Sequence, residues 1–77
     1  MEMINFTREQ LVASKEYMNA IANGFKIHTE FNDRYMTFYV QKSKDKTIPN
    51  KRIVSISQFK RELKEHIFQL KKYVNQE

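Results

Sequence analysis

The sequence predicts an α+β domain in which two helices pack on one face of a small antiparallel sheet. Apolar residues recur with a helical period near the start and the end of the chain, and with a period of two between them. The chain has 77 residues, of which 40% are hydrophobic and 13% aromatic, so one apolar core is expected. We therefore treat 1–77 as a single domain, with a helix, a hairpin over 25–41, a short strand over 51–54 and a long last helix.

The first helix is predicted over residues 8–23. Thr7 and Gln10 have the spacing of a capping box, and Phe6 and Leu11 that of a hydrophobic staple. Gly24 predicts the stop, because glycine readily adopts the left-handed conformation that follows a helix. On a helical projection one face carries Leu11, Ser14, Tyr17, Met18, Ile21 and Ala22.

A hairpin is predicted next, because apolar and polar residues alternate over 25–31 and again over 34–41. Taking Asn32-Asp33 as a two-residue loop places Phe31 opposite Arg34 and puts the apolar side chains of both strands on one face. The opposite face would then carry Lys26, His28, Glu30, Tyr35, Thr37, Tyr39 and Gln41.

The segment 42–52 carries five basic residues and one acid, which predicts a long mobile loop before the short strand. Two alternatives remain for the boundary between that strand and the last helix. Either the strand ends at Val54 and Ser55 caps the helix, or it continues through Ile56 and Ser57 is the cap; Gln58, three residues after Ser55, favours the first.

The last helix has one apolar stripe and one residue that departs from it. The stripe covers about 120° of the helix and predicts the face that packs on the sheet. Phe68 lies roughly 155° from its centre, among charged residues, and is expected on the surface. The stripe consists of Ile56, Phe59, Leu63, His66, Ile67, Leu70, Tyr73 and Val74.

Composition narrows the classes of function. The net charge is +5, and residues 51–77 carry seven basic and three acidic side chains, which favours a polyanionic partner. The chain has no cysteine, so disulfides and thiolate metal sites are excluded, and two histidines are too few for a metal cluster. No apolar run reaches the roughly 20 residues of a membrane span, and no signal-peptide core is present, so we expect a cytoplasmic protein without membrane contact.

Catalysis, cofactors and a small-molecule substrate are not expected. The pair Glu62 and His66 has helical i,i+4 spacing and is interpreted as a structural pair. No serine has a recognisable base, and the single glycine cannot form a phosphate-binding loop.

The charge and the surface residues support two hypotheses for function. The first is nucleic-acid binding with a regulatory role, in which basic residues contact phosphates and the tyrosines stack on bases. The second is a protein-interaction module, such as a small inhibitor or adaptor of phage or mobile-element type, that acts through the Phe68 helix face or the Tyr35/Tyr39 sheet face. A homodimer is one form of this hypothesis. Residues assigned to nucleic acid are Lys26, Tyr35, Tyr39, Lys42, Lys44, Lys46, Lys51, Arg52, Arg61 and Lys64. Residues assigned to a partner or dimer interface are Lys64, Phe68, Lys71 and Lys72.

The order helix, three strands, helix is similar to that of double-stranded-RNA-binding domains. In that family lysines at the start of the second helix contact phosphates, and the nearest equivalent here is Lys60-Arg61, further along the helix. The stretch from Lys51 to Ile67 also resembles the end of single-stranded-DNA-binding transcriptional coactivators, which begin with strands instead of a helix. Both resemblances concern topology, so no site residue is transferred from either family.

Overall fold

The computed structural model describes residues 3–74, with side chains described through residue 71. The α+β fold class is confirmed, with helices before and after a three-stranded antiparallel sheet. The elements are α1 (Arg8–Val12), α2 (Lys15–Ala22), β1 (Lys26–Phe31), β2 (Met36–Lys42), β3 (Asp45–Lys46) and α3 (Ile56–Val74). No helix in this described part of the chain is long and apolar enough to cross a membrane.

The N-terminal region forms two helices where one was predicted over 8–23. The capping box at Thr7 and Gln10 is present, with both reciprocal hydrogen bonds formed. The break comes at Ser14, whose hydroxyl donates to the Leu11 carbonyl at 2.7 Å and accepts from the Tyr17 N–H at 3.3 Å. A serine side chain that bonds the local backbone competes with helical hydrogen bonds, which is why α1 ends and α2 begins here.

The break at Ser14 also changes which residues of α2 are buried. A continuous helix would have placed Met18 and Ile21 in the core, but these side chains are 53% and 45% exposed. Ala20 is buried in their place. The predicted core face is therefore confirmed at Tyr17, which packs against the core, but wrong at Met18, Ile21 and Ala22, because the interruption reorients α2 relative to α1.

Gly24 ends α2 as expected. Its φ of 89° is in the left-handed region, which a residue with a Cβ rarely adopts. The N–H of Phe25 donates to the Ala20 carbonyl and that of Gly24 to the Ile21 carbonyl, the two bonds of a Schellman motif. The chain turns here directly into β1.

The hairpin is confirmed, with a register two residues different from the one proposed. Phe31 lies opposite Met36, and the turn is centred on Asp33-Arg34 instead of Asn32-Asp33. The reason is the Asn32 side chain, whose Oδ1 accepts from the N–H groups of Arg34 and Tyr35 at 2.8 and 2.9 Å. A register change of two residues keeps every side chain on its predicted face.

The third strand lies earlier in the sequence than predicted. β3 pairs with the end of β2, with Lys46 opposite Gln41 and Asp45 opposite Lys42. From the predicted strand 51–54, Ile53 alone forms a bridge, exchanging two backbone hydrogen bonds of 2.8 Å with Met36.

The last helix begins at Ile56, which settles its capping residue as Ser55. The Ser55 hydroxyl accepts from the Gln58 N–H at 3.2 Å. The Gln58 side chain also accepts from the Val54 N–H and donates to the Arg52 carbonyl, so it closes the connection into the helix. The strand alternative through Ile56 is wrong.

A single core lies between the helices and the inner face of the sheet. All three helices contribute to it, and Phe38 packs edge-on against Phe59 with ring centroids 4.9 Å apart. Both Tyr73 and Val74 of the predicted stripe lie outside the described side chains. The buried apolar residues are Phe6, Leu11, Ala20, Phe25, Met36, Phe38, Val40, Ile53, Phe59, Leu63 and Leu70.

Candidate nucleic-acid interface

The predicted long loop 42–52 begins as a tight hairpin that presents lysines at one end of the sheet. Ser43 has a φ of 58°, and with Lys44 it forms the turn between β2 and β3. Lys42, Lys44 and Lys46 are exposed around this turn. The register places Lys42 on the face that packs on the helices and Lys46 on the outer face, so the hairpin presents lysines on both faces at this end of the sheet.

A fourth lysine joins the hairpin across the outer face of the sheet. Lys26 pairs with Gln41, and Gln41 pairs with Lys46, so the three residues form one row across β1, β2 and β3. Side chains in one row of a sheet lie on the same face, about 5 Å from strand to strand. The outer face thus ends in two lysines separated by an uncharged glutamine.

The last helix supplies two more lysines to the same end of the molecule. Lys64 and Lys71 of α3 line a groove together with Lys42, and the groove has a volume of about 300 Å³. The Lys42 Nζ lies 4.6 Å from the centroid of the Phe25 ring, a cation–π distance. The apolar part of the lining consists of Ala20, Phe25, Leu63 and Ile67.

A buried polar link fixes the hairpin to α3. The N–H of Thr47 donates to the Val40 carbonyl at 2.9 Å, and the Val40 N–H donates to the Thr47 hydroxyl, also at 2.9 Å. That hydroxyl is further hydrogen-bonded to Nδ1 of His66. Thr47 was not identified from the sequence, because its partner His66 lies 19 positions away on another element.

Glu62 and His66, which have i,i+4 spacing, each contact another residue: His66 bonds Thr47, and Glu62 pairs with Lys51. Burial lowers the pKa of His66, and the negative charges of Glu62 and Glu65 oppose that shift. Glu62 is 5% exposed, with Lys51 Nζ 3.5 Å from its carboxylate. The burial of Glu62 was not predicted, because its position on a helix gives no sign that Lys51 would reach it.

The remaining predicted residues do not all belong to the lysine-rich end. Lys51 is held by Glu62. Arg52 lies over the Tyr35 ring, with Cζ 4.8 Å from its centroid, next to the turn at the opposite end of the hairpin. Arg61 is exposed on α3. These residues are therefore spread over the molecule, while Lys26, Lys42, Lys44, Lys46 and Lys64 are grouped.

The tyrosines of the outer face are engaged within the molecule. Tyr39 stacks on His28 with ring centroids 4.5 Å apart and planes 15° from parallel. The His28 Nε2 is 3.1 Å from Gln41 Oε1, which holds the imidazole in place. Pro49 lies beside this stack, in a hollow of about 250 Å³. One face of the Tyr39 ring is thus covered, and a base would have to stack on the other.

Phe68 is exposed as predicted, at 68% of its full accessible area. It lies beside Lys64, Glu65 and Gln69 on the outer face of α3. Lys71 belongs to the adjoining groove. The Lys72 side chain, also assigned to this surface, lies outside the described side chains.

Among the described residues, no group of three or more His, Asp or Glu side chains is arranged to hold a metal ion. Comparisons with known proteins add no family: no protein-family model, no curated protein and no solved structure gives a significant match.

Proposed function

We propose that the chain is a small, non-catalytic, cytoplasmic protein that binds nucleic acid in a regulatory role. One observation carries the proposal. The start of β1, the β2–β3 hairpin and α3 bring the lysines at positions 26, 42, 44, 46, 64 and 71 to one end of the molecule. The acids beside them include Asp45, Glu65 next to Lys64, and Glu16, whose carboxylate lies 3.9 Å from Lys60 Nζ.

The charge at this end suits a phosphate backbone. Each lysine that neutralises a phosphate releases a condensed counterion, so affinity falls steeply as salt concentration rises. Lysines on a short hairpin and an adjoining helix face contact phosphates, and such contacts do not distinguish one base sequence from another. The expected binding is consequently dominated by phosphate contacts, with sequence preference limited to what Tyr39 adds by stacking.

The test is a salt titration of binding to single-stranded DNA, duplex DNA and duplex RNA, followed by fluorescence anisotropy. Replacing both Lys44 and Lys46 by Ala should lower affinity about tenfold and reduce the slope of log affinity against log salt by about two. The physical reason is the loss of two phosphate contacts.

The matched control removes the same charge elsewhere, by replacing Lys15 and Arg34, which are both exposed, with Ala. This control should retain most of the wild-type affinity. An equal loss in the control would contradict the assignment to the hairpin, and no binding by the wild type at low salt would overturn nucleic-acid binding itself.

A second candidate function, protein interaction, is favoured by the exposure of Phe68. A phenylalanine with 68% of its surface in water makes no contribution to the fold that would explain it, whereas aromatic residues are enriched in protein interfaces. Its neighbours Lys64 and Glu65 would form the polar rim of such a contact.

For this candidate we expect Phe68→Ala to abolish capture of a protein partner from nuclease-treated host lysate while leaving the melting temperature unchanged. Met18→Ala is the control, because Met18 is also an exposed apolar residue on a helix. Retention of the same partners by the Phe68 variant would exclude this face of α3 as the binding surface.

A further inference from the structure

Strand β1 forms an edge of the sheet with unpaired backbone groups. The strand order is β1-β2-β3, and the Asn32 N–H donates to the Tyr35 carbonyl at the turn. Hydrogen-bonded pairs alternate along an antiparallel ladder, so Ile27, Thr29 and Phe31 direct their N–H and C=O groups away from β2. The hydrogen bonds found among the described residues include none to these outward groups.

The charges on this edge strand have no ion-pair partner among the side chains that the structure describes. Lys26 and Glu30 lie on the outer face, two residues before and two residues after His28. Their neighbours on β2 are the uncharged Gln41 and Thr37. Neither charge forms an ion pair with another described residue.

We infer that β1 pairs antiparallel with β1 of a second copy of the chain, about a twofold axis at His28. In this register Lys26 lies opposite the partner's Glu30, and Glu30 lies opposite the partner's Lys26. Opposite charges in directly facing positions stabilise strand pairing. The strand is therefore complementary in charge to itself.

The backbone and the apolar face support the same register. Ile27 faces the partner's Thr29, and both residues direct their backbone groups outward, so they form hydrogen-bonded pairs. The apolar faces of both copies remain on one side of a continuous six-stranded sheet. The two neighbouring registers that preserve these faces place Lys26 opposite the partner's Asn32 or the partner's His28, and both lose the two Lys–Glu pairs.

This pairing also accounts for the charges on the edge. Proteins place charged residues on edge strands to discourage pairing with other strands. Here the two charges are of opposite sign and symmetric about His28, so they disfavour pairing with an apolar strand but attract an antiparallel copy of themselves. The inference shares Lys26 with the lysine-rich end but does not rest on nucleic-acid binding, and its test measures dimerisation without nucleic acid.

Charge exchange tests the inference by sedimentation equilibrium. The wild type should dimerise with rising concentration. Lys26→Glu and Glu30→Lys should each weaken the dimer by about tenfold or more, because each creates two facing like charges. The double variant K26E/E30K should restore wild-type affinity, and an equimolar mixture of the two single variants should form a mixed dimer.

Controls and a covalent probe sharpen the test. Lys15→Glu and Glu9→Lys, which change exposed charges on the helices, should leave dimerisation unchanged. Because the chain has no cysteine, His28→Cys gives a single thiol that should form a disulfide-linked dimer on oxidation. Thr37→Cys, on the central strand, should not.

Three results would overturn the inference. A wild type that stays monomeric up to about 1 mM excludes the dimer. Single charge reversals that dimerise as the wild type does exclude β1 as the interface. A loss with Glu30→Lys alone, without any with Lys26→Glu, excludes the register centred on His28. Circular dichroism of each variant confirms that the fold is retained.

Discussion

At the scale of single residues, the Thr47–His66 link is the most consequential contact of the molecule. It ties residues 19 positions apart and joins the root of the lysine-bearing hairpin to α3. His66 is 3% exposed and lies against the Phe38 ring, with centroids 4.6 Å apart. A neutral imidazole satisfies this environment, whereas a protonated one would carry a charge into the core.

Stability should therefore fall when His66 is protonated. Burial lowers the pKa of His66 in the folded state below its ordinary value of 6.5, so the unfolded chain binds the proton more readily. The contribution of neutral His66 to the free energy of unfolding is fully present above about pH 6.5. It is lost as the pH falls through the lowered pKa. Urea unfolding at several pH values should show a loss of at most about 1.4 kcal/mol per pH unit from this group.

The variant His66→Asn provides the comparison for that experiment. It should be less stable than the wild type at pH 7.5, and the difference between them should narrow at pH 5. Parallel stability curves over this range would show that His66 does not titrate as inferred. Comparing the two proteins removes any pH dependence that both share.

At the scale of elements, Ser14 decides that the N-terminal region is two helices. Ser14→Ala removes a cap from α2 and a hydrogen bond to the Leu11 carbonyl, so we expect a loss of about 1 kcal/mol in the free energy of unfolding. Ser57→Ala is the matched control, because Ser57 is exposed in the first turn of α3. Equal stability of the Ser14 variant and the wild type would show that the cap is dispensable.

The elements that were predictable are those whose signals are local. Thr7, Gly24 and Ser55 cap or stop helices through bonds to residues within four positions, and all three were identified from the sequence. Ser14 was missed because periodicity placed it on the core face and said nothing of its hydroxyl. The centre of the turn was missed because one side chain, Asn32, accepts two backbone N–H groups.

At the scale of the whole molecule, the sequence predicted the exposure of side chains better than it predicted which side chains lie close to one another. Exposure of the hairpin lysines and of Phe68 follows from composition and helical angle. Which side chains lie close together depends on contacts between segments distant in the sequence, such as Thr47 with His66 and Lys51 with Glu62. Of the ten residues predicted to bind nucleic acid, some therefore lie at the lysine-rich end and the others, such as Lys51 and Arg52, lie outside it.

The segment between Thr47 and Ile53 is held at both of its ends by backbone hydrogen bonds to β2. Its first residues project into water, and Ile48 is 77% exposed. The entropy cost of closing a loop rises slowly with length, by about 0.6 kcal/mol for each doubling. Between Pro49 and Asn50 the chain can accordingly accept inserted residues, such as an affinity tag or a short peptide carrying a fluorophore, without moving the anchors on either side.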